Sequence, residues 1–220
     1  MARALTDDED FCATTFAVID FETTTPRGHS PEPIEVAIIV LRAHGLNLDE
    51  TARFTRLMRP PAHAPITPFD ISQTGITPQM VAVQPPAGDV LAELDAWFTC
   101  PPPSLLIAHH APTEAGVLYN YRQHCPRLAI THLLDTVRLA RAAYPHLRSH
   151  GLDILRDHLQ LPRPTGRHRA LPDTQLTADL FRHLISHSAR SGLWPTLQQL
   201  RDAGRYQAPA TKPHQETLFD

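Results

Sequence analysis

Three apolar segments near the N-terminus constrain the fold more than any other feature of the sequence. They read TFAVIDF (15–21), IEVAIIVLRA (34–43) and ARFTRLMRP (52–60), and each is typical of a β-strand. The connectors TTTPRGHSPEP and HGLNLDE are loop-like, as expected where consecutive strands pair antiparallel. The sequence therefore predicts an antiparallel three-stranded meander at the start of the chain.

Helical periodicity dominates the rest of the chain, with one further strand. Apolar residues recur at helical spacing in AGDVLAELDAWF, whereas SLLIAHH (104–110) is typical of a buried strand. Pro112 and the acid that follows it favour a helix directly after this strand. Asp135 is suited to be a helix N-cap. Further helices are predicted at 135–144, 150–160, 173–189 and 193–203. These elements predict an α/β fold in which helices flank a mixed sheet.

The length of the chain fits one domain with a substantial core. It has 220 residues, of which 42% are hydrophobic and 20% charged, as in an ordinary globular protein. Its ends differ from the middle, because the first residues are acidic and the last are rich in Pro, Ala and polar residues. We therefore expect a flexible acidic leader over residues 1–10, a folded domain over 11–203 and a flexible tail over 204–220.

The N-terminal sequence, the cysteines and the net charge bear on the location of the protein and on its partners. The N-terminus lacks the long apolar run of a secretory signal, and the three cysteines show no zinc-ligand spacing. We therefore expect a cytoplasmic protein with no membrane partner. The net charge of −3 provides no global basic field, so a nucleic-acid partner would require a local basic patch or bridging metal ions.

Two acidic residues lie at the end of the first predicted strand, in the segment VIDFETT. Residues two apart share one face of a strand, so Asp20 and Glu22 point the same way. Two neighbouring carboxylates repel unless a positive group lies between them, and a divalent cation such as Mg²⁺ prefers such oxygen ligands. The pair alone is a weak signal, since the strand could also end here with both acids facing water.

Three later residues complete a pattern. Glu114 lies in the first turn of the helix after SLLIAHH, and Asp173 follows His168 by five residues in HRALPDTQLTADLF. In this order the motifs resemble those of the DEDDh family of 3′→5′ exonucleases, the group that includes the proofreading (epsilon) subunit of bacterial DNA polymerase III. The resemblance covers residues 14–186, with VIDFETT, IAHHAPTEAGVL and HRALPDTQLTADLF as its three motifs.

The resemblance implies a ribonuclease-H-like fold, with a mixed five-stranded sheet of three antiparallel and then parallel strands, and an exonuclease domain over residues 11–203. It also implies that Asp20, Glu22, Glu114 and Asp173 hold two divalent ions, Mg²⁺ or Mn²⁺. Such ions stabilise the attacking and leaving oxygens of an in-line displacement. His168 would accept the proton of the attacking water, since an imidazole suits this task near neutral pH.

The second motif departs from the family pattern. Glu114 stands where the family has Asp, His110 where it has Asn, and Thr113 where it has Phe. The Glu114 side chain is one methylene longer, so its carboxylate can still reach a cation, but metal sites tolerate such exchanges imperfectly. We expect a working site with an altered rate or metal preference. The alternative is a catalytically weak protein that binds nucleic-acid ends.

Other positions are expected to contact substrate. By resemblance, Thr23 and Thr24 lie at the terminal nucleotide, and Gly75 and Ile76 line the substrate pocket. An arginine-rich segment around His168 would steer a phosphate backbone toward the metal ions, unless it is only a solvated loop. Its arginines are Arg163, Arg167 and Arg169.

The tail ends in QETLF, which resembles the pentapeptide by which bacterial polymerases and repair enzymes bind the sliding clamp. Leu218 and Phe219 would enter an apolar pocket and Gln215 would fix the orientation of the peptide. Tethering to the clamp would favour DNA ends over RNA as the substrate. The sequence thus predicts a 3′→5′ exonuclease acting on DNA in proofreading or repair. An RNA-trimming exonuclease and a clamp-associated adaptor remain as alternatives.

Overall fold

The computed structural model describes residues 5–26, 28–45, 47–98, 104–166 and 168–206. Its centre is a six-stranded sheet. The strands are β1 (Thr15–Thr24), β2 (Glu32–His44), β3 (Asn47–Leu57), β4 (Ser104–Ala108), β5 (Leu133–Asp135) and β6 (Arg205–Tyr206). They lie in the order β3-β2-β1-β4-β5-β6. The first three strands form an antiparallel meander, whereas β4 pairs parallel with β1 and β5 parallel with β4. The predicted mixed sheet is confirmed.

A sixth strand lies beyond the five that the sequence predicted. Arg205 and Tyr206 form β6, which pairs antiparallel with Leu134 and Leu133 of β5. The structure therefore continues past residue 203, where the sequence placed the start of the tail. Residues 207–220 lie outside the described part of the chain.

Helices cover both faces of the sheet. The helices are α1 (Glu9–Ala13), α2 (Pro68–Thr74), α3 (Pro78–Ala82), α4 (Ala87–Trp97), α5 (Pro112–Asn120), α6 (Pro126–Ile130), α7 (Thr136–Ala143), α8 (Leu152–Leu159), α9 (Ala170–Ser191) and α10 (Leu197–Gly204). On one face, α9 packs with α7, α8 and α10 over Phe16 and Val18 of β1. On the other face, α4, α5 and α6 pack over Ala17 and Ile19 of the same strand. Within the described ranges, no helix combines the length and the apolar character that crossing a membrane requires.

The alternation of β1 determines which way its terminal acids point. Even-numbered residues of this strand enter the core beneath α9, and odd-numbered residues enter the opposite core. Asp20 and Glu22 continue the even series. The strand therefore directs both carboxylates toward the side of the sheet that α9 covers.

The N-terminal segment is folded from residue 5 onward, which corrects the expected flexible leader. Leu5 begins a short 3-10 helix and is fully buried in the core beneath α9. Asp8 caps α1 by accepting hydrogen bonds from the Asp10 and Phe11 amides. Its second oxygen accepts a hydrogen bond from the Leu197 amide at 3.1 Å, which ties the segment to α10. An acid-rich sequence alone does not reveal these contacts, because the partner lies 189 residues away.

Candidate active site

Three carboxylates converge where β1 ends. Oxygens of Asp20, Glu22 and Asp173 all lie within 4.8 Å of one another. The two β1 acids reach this point because they share a face of the strand, and Asp173 reaches it from the first turn of α9. Asp173 is buried, whereas Asp20 and Glu22 are half-buried. The structure thus brings together three of the four acids that the sequence grouped.

Glu114 lies beside this cluster rather than within it. It occupies the first turn of α5, is only 3% exposed, and its Oε2 atom finds no hydrogen-bond partner among the described residues. Burial raises the pKa of Glu114 to about 8, and the negative charges of Asp135 and Glu22 add to the effect, against a lowering by its backbone hydrogen bond. The charge of Glu22, one of the three acids of the cluster, therefore acts on the Glu114 carboxyl.

These residues fit a divalent cation. The cluster offers carboxylate oxygens from three converging side chains, a ligand set that suits hard ions such as Mg²⁺ and Mn²⁺. The buried Glu114 oxygen without a hydrogen-bond partner is a second sign, because such groups are rare unless an ion or a proton compensates them. A bound cation would offset the repulsion between the Asp20 and Glu22 carboxylates. It would also compensate the charge of the buried Glu114 carboxylate.

Glu114 makes the stability of the metal-free protein depend on pH. The folded-state pKa of about 8 exceeds the ordinary value of 4.5, so the folded protein binds more protons between these values. Stability in EDTA should therefore fall as the pH rises from about 4.5 to about 8, by the order of a few kcal/mol. Urea unfolding at several pH values measures this slope. We expect Glu114→Gln to make it shallower and the exposed-residue control Glu9→Gln to leave it unchanged; equal slopes in all three proteins would contradict the account.

Glu35 organises the segment that carries the predicted base. It lies opposite Glu22 in the β1–β2 register and is buried. Its carboxylate accepts hydrogen bonds from Arg169 Nε at 2.9 Å, from Arg169 Nη2 at 2.6 Å and from the Ala170 amide at 2.9 Å. The bidentate pair fixes the start of α9, and therefore the approach of Asp173 to the cluster.

We expect Arg169→Met to destabilise the fold by about 2 kcal/mol, because it leaves the buried Glu35 carboxylate without its positive partner. Urea unfolding in EDTA provides the measurement. Arg163→Met is the matched control, since Arg163 is exposed on the same segment and its loss should change stability by less than about 0.5 kcal/mol. Equal effects of the two substitutions would show that the Glu35 pair does not hold this segment.

The predicted base lies on an exposed, strained turn. His168 is exposed and has φ of +62°, a conformation that non-glycine residues rarely adopt. His110, at the end of β4, has φ of +72°, and its amide donates a hydrogen bond to Asp135 Oδ1 at 3.2 Å. Such strain is concentrated at functional sites more often than elsewhere. Arg163 is exposed, and Arg167 lies outside the described residues.

The predicted substrate contacts divide into two groups. Thr23 is half-buried beside the β-bulge that follows Glu22, and Gly75 is exposed at the left-handed C-cap of α2. Thr24 and Ile76 have no exposed surface, and their places at the terminal nucleotide and in the substrate pocket stay predictions. Ile76 packs with Ile34 and Val81, because burial of its apolar side chain is favourable.

Sequence reasoning missed Glu35 and underestimated Asp135. Glu35 is a lone acid inside the apolar run IEVAIIV, and a buried acid of this kind requires a partner. Asp135 is an N-cap, as predicted, and accepts a hydrogen bond from Val137 N at 2.9 Å. It also lies close enough to Glu114 to raise the pKa of that residue.

Comparison with known proteins agrees with this geometry. The model of the exonuclease family RNase_T matches residues 17–181. The chain is 30% identical over 214 residues to the PolC-type DNA polymerase III of Oceanobacillus iheyensis, a match that covers 96% of this chain and 14% of that protein. The corresponding protein of Bacillus subtilis is 28% identical over 208 residues, covering 93% and 14%. The chain therefore spans about one seventh of the length of these relatives.

Solved structures share the fold. Exonuclease X in complex with 5′ overhanging duplex DNA superposes with a TM-score of 0.62 and 24% identity, covering 86% of this chain and 98% of that chain. The nuclease domain of 3′hExo, described as a DEDDh family member bound to rAMP, gives a TM-score of 0.69 and 20% identity, covering 83% and 96%. The expected ribonuclease-H-like fold is thereby confirmed.

The ribonuclease-H-like sheet carries an acidic cluster at the end of its first strand. The chain belongs to the RNase_T exonuclease family, whose model matches three quarters of its length. The resemblance to the DEDDh exonucleases is confirmed, as is the prediction that the protein is an enzyme of this class.

Proposed function

We propose that the protein is a metal-dependent 3′→5′ exonuclease that removes nucleotides from DNA 3′ ends, in proofreading or repair. The observation that carries this proposal is the mutual approach of the Asp20, Glu22 and Asp173 oxygens. The relatives named as DNA polymerases support a DNA substrate. The DNA-bound exonuclease X structure has the same fold and lends further support.

The four acids would hold two divalent ions, with Asp20 shared between them. Glu22 and Asp173 would complete one position, and Glu114 would contribute to the other. When bound, such ions polarise the phosphodiester and stabilise the charge that develops on its oxygens. Mg²⁺ and Mn²⁺ are the ions that this oxygen-only ligand set favours.

His168 would act as the general base. Its imidazole would take a proton from the water whose oxygen attacks the phosphorus of the terminal nucleotide. The bond from phosphorus to the 3′ oxygen of the preceding nucleotide then breaks, which releases a nucleoside 5′-monophosphate and a shortened strand. The exposure of His168 is consistent with access to this water.

Residues around the acidic cluster would position the substrate. We propose that Thr23 and Gly75 contact the terminal nucleotide and that Arg163 and Arg167 attract its phosphates. Arg169 would have a different role, because its guanidinium group donates two hydrogen bonds to Glu35. It would position His168, its neighbour in the chain.

The experiment that tests this function uses 5′-labelled single-stranded DNA and RNA of the same sequence, incubated with the protein in Mg²⁺, Mn²⁺ or EDTA. The proposal predicts a ladder of shortened DNA that requires a metal ion. A ladder on RNA alone would replace DNA with RNA as the substrate. If no ladder forms, titration of Mn²⁺ into the protein distinguishes an inactive end-binding adaptor, which binds no metal at Asp20, from an inactive metal protein.

The clamp interaction remains a separate proposal, because Gln215, Leu218 and Phe219 lie outside the described residues. We expect deletion of residues 215–219 to abolish co-elution with a bacterial sliding clamp. Nuclease activity on free DNA should stay the same, since the deletion leaves every residue of the acidic cluster in place. Unchanged co-elution of the deleted protein would remove this proposal.

A further inference from the structure

Four histidines surround Tyr144, a buried residue that directly follows α7. The ring centroids of these histidines lie 5.1 to 6.4 Å from the centroid of the Tyr144 ring. His146 belongs to the segment after α7, His158 to α8, and His183 and His187 to α9. We call these four residues the histidine cluster. The fold assembles it from three separate segments of the chain.

The two histidines of α9 form a chelating pair. His183 and His187 are four residues apart, so their side chains lie on one face of the helix with Cβ atoms about 5–6 Å apart. Two histidines at this spacing on a helix bind zinc in the metalloprotease motif H-E-x-x-H. Both residues are half-buried. The helix therefore presents two imidazoles at a spacing that one metal ion can bridge.

The protonation state of the pair also suits a metal ion. Burial lowers the pKa of His183, and the charge of Arg190 adds to this effect. The neighbouring His187 and His158 lower it further. His183 is therefore mostly neutral at pH 7, which is the form in which an imidazole binds a metal. Arg190 is exposed, so water and salt screen its charge from an incoming cation.

The other two histidines can approach the pair from outside α9. His158 and His146 are exposed, and their ring centroids lie 5.6 Å apart. Their imidazoles can therefore turn toward an ion without disturbing the core. Such a turn is required, because among the described residues only the acidic cluster already has three ligand atoms within 4.8 Å of one another. His183 Nε2, which lies 3.1 Å from Tyr144 Oη, would exchange that contact for the ion.

We propose that the histidine cluster is a zinc site, with its imidazole nitrogens as the four ligands of a tetrahedral ion. A nitrogen-only ligand set favours Zn²⁺, whereas Mg²⁺ and Mn²⁺ prefer oxygen ligands such as those of the acidic cluster. The two sites are separate, since His183 follows Asp173 by ten residues of α9, about 15 Å along the helix axis. The ion joins α8 to α9, which pack against each other.

Titration calorimetry with Zn²⁺ tests the site on the full-length protein without a purification tag. Excess Mg²⁺ in the buffer occupies the oxygen ligands of the acidic cluster. We expect His183→Gln/His187→Gln to lower the Zn²⁺ affinity by at least about 100-fold, because even loss of a residue that orients a ligand costs about 10–100-fold. His158→Gln should lower it by at least about tenfold, and this exposed position guards against misfolding of the double variant. His44→Gln is the matched control, since His44 is exposed at the far end of β2.

The visible spectrum of bound Co²⁺ identifies the ligands independently of affinity. A tetrahedral nitrogen site gives intense absorption bands, whereas a six-coordinate oxygen site gives weak ones. We expect intense bands in wild type and in Asp20→Asn, because that substitution leaves the histidine cluster intact. The bands should be lost in His183→Gln/His187→Gln, and adding Zn²⁺ to wild type should remove them by competition.

The outcomes decide this proposal separately from the exonuclease function, which the DNA ladder tests. Wild-type protein that binds no Zn²⁺, or equal Zn²⁺ affinities of wild type and both cluster variants, overturns the zinc site. Bands that disappear in Asp20→Asn but persist in His183→Gln/His187→Gln overturn it as well, because they would belong to the acidic cluster. A loss of affinity in the cluster variants, with His44→Gln unchanged, supports it.

Discussion

Replacing Asp20 with asparagine is expected to lower kcat by about 10³–10⁵-fold, because metal ions contribute several kcal/mol of transition-state stabilisation. Asp20 is the acid that both proposed ion positions share, and its oxygens lie among those of Glu22 and Asp173. Asparagine keeps the shape of the side chain but removes the negative charge.

Steady-state hydrolysis of single-stranded DNA in Mn²⁺ measures this effect, with urea unfolding in EDTA as the check on folding. Asp89→Asn is the control, because Asp89 is an exposed acid in the first turn of α4. A well-folded Asp20→Asn protein that retains more than about a tenth of wild-type kcat would contradict the role of Asp20, since a tenfold loss is only about 1.4 kcal/mol.

Replacing His168 with asparagine is expected to lower kcat by about 10²–10⁴-fold, the usual contribution of a positioned general base. Asparagine suits this test because it tolerates the left-handed backbone that His168 adopts, so strain is not a second cause. KM and the heat of Mn²⁺ binding should stay near their wild-type values, because the imidazole is not among the proposed ligands.

The readout that separates a base from a structural residue is the split between kcat and KM. His44→Asn is the control, since His44 is an exposed histidine at the far end of β2. A fall in Mn²⁺ affinity that accounts for the whole loss of activity would reassign His168 to holding the site together. A change in kcat of less than about threefold would show that another group accepts the proton.

Much of the fold could be predicted because its signals are local. The apolar runs of β1, β2 and β4 and the helical spacing in α4 and α9 each appear within a dozen or so residues. The direction of Asp20 and Glu22 follows from the alternation of a strand alone. That these two acids converge with Asp173 could be predicted only from the family resemblance, because no local pattern relates residues more than 150 positions apart.

What the sequence did not reveal depends on tertiary contacts. The β6 strand has two residues, too few for a pattern, and exists because Arg205 and Tyr206 meet the edge of β5. The Arg169–Glu35 pair joins residues 134 apart and directs an arginine predicted to bind phosphate onto a buried acid instead. Ile76 lies beside exposed Gly75 but has no exposed surface. Each of these depends on which surfaces come together, which a single sequence does not encode in its local pattern.

Anomalous diffraction from crystals of the wild-type protein soaked in Mn²⁺ tests the central claim most directly, because it locates the ion without relying on turnover. The account predicts a strong peak between Asp20, Glu22 and Asp173, and a second peak toward Glu114 once a nucleotide 5′-monophosphate is added. Both peaks should disappear in Asp20→Asn crystals. A map with manganese bound elsewhere and none within coordination distance of Asp20 would contradict it.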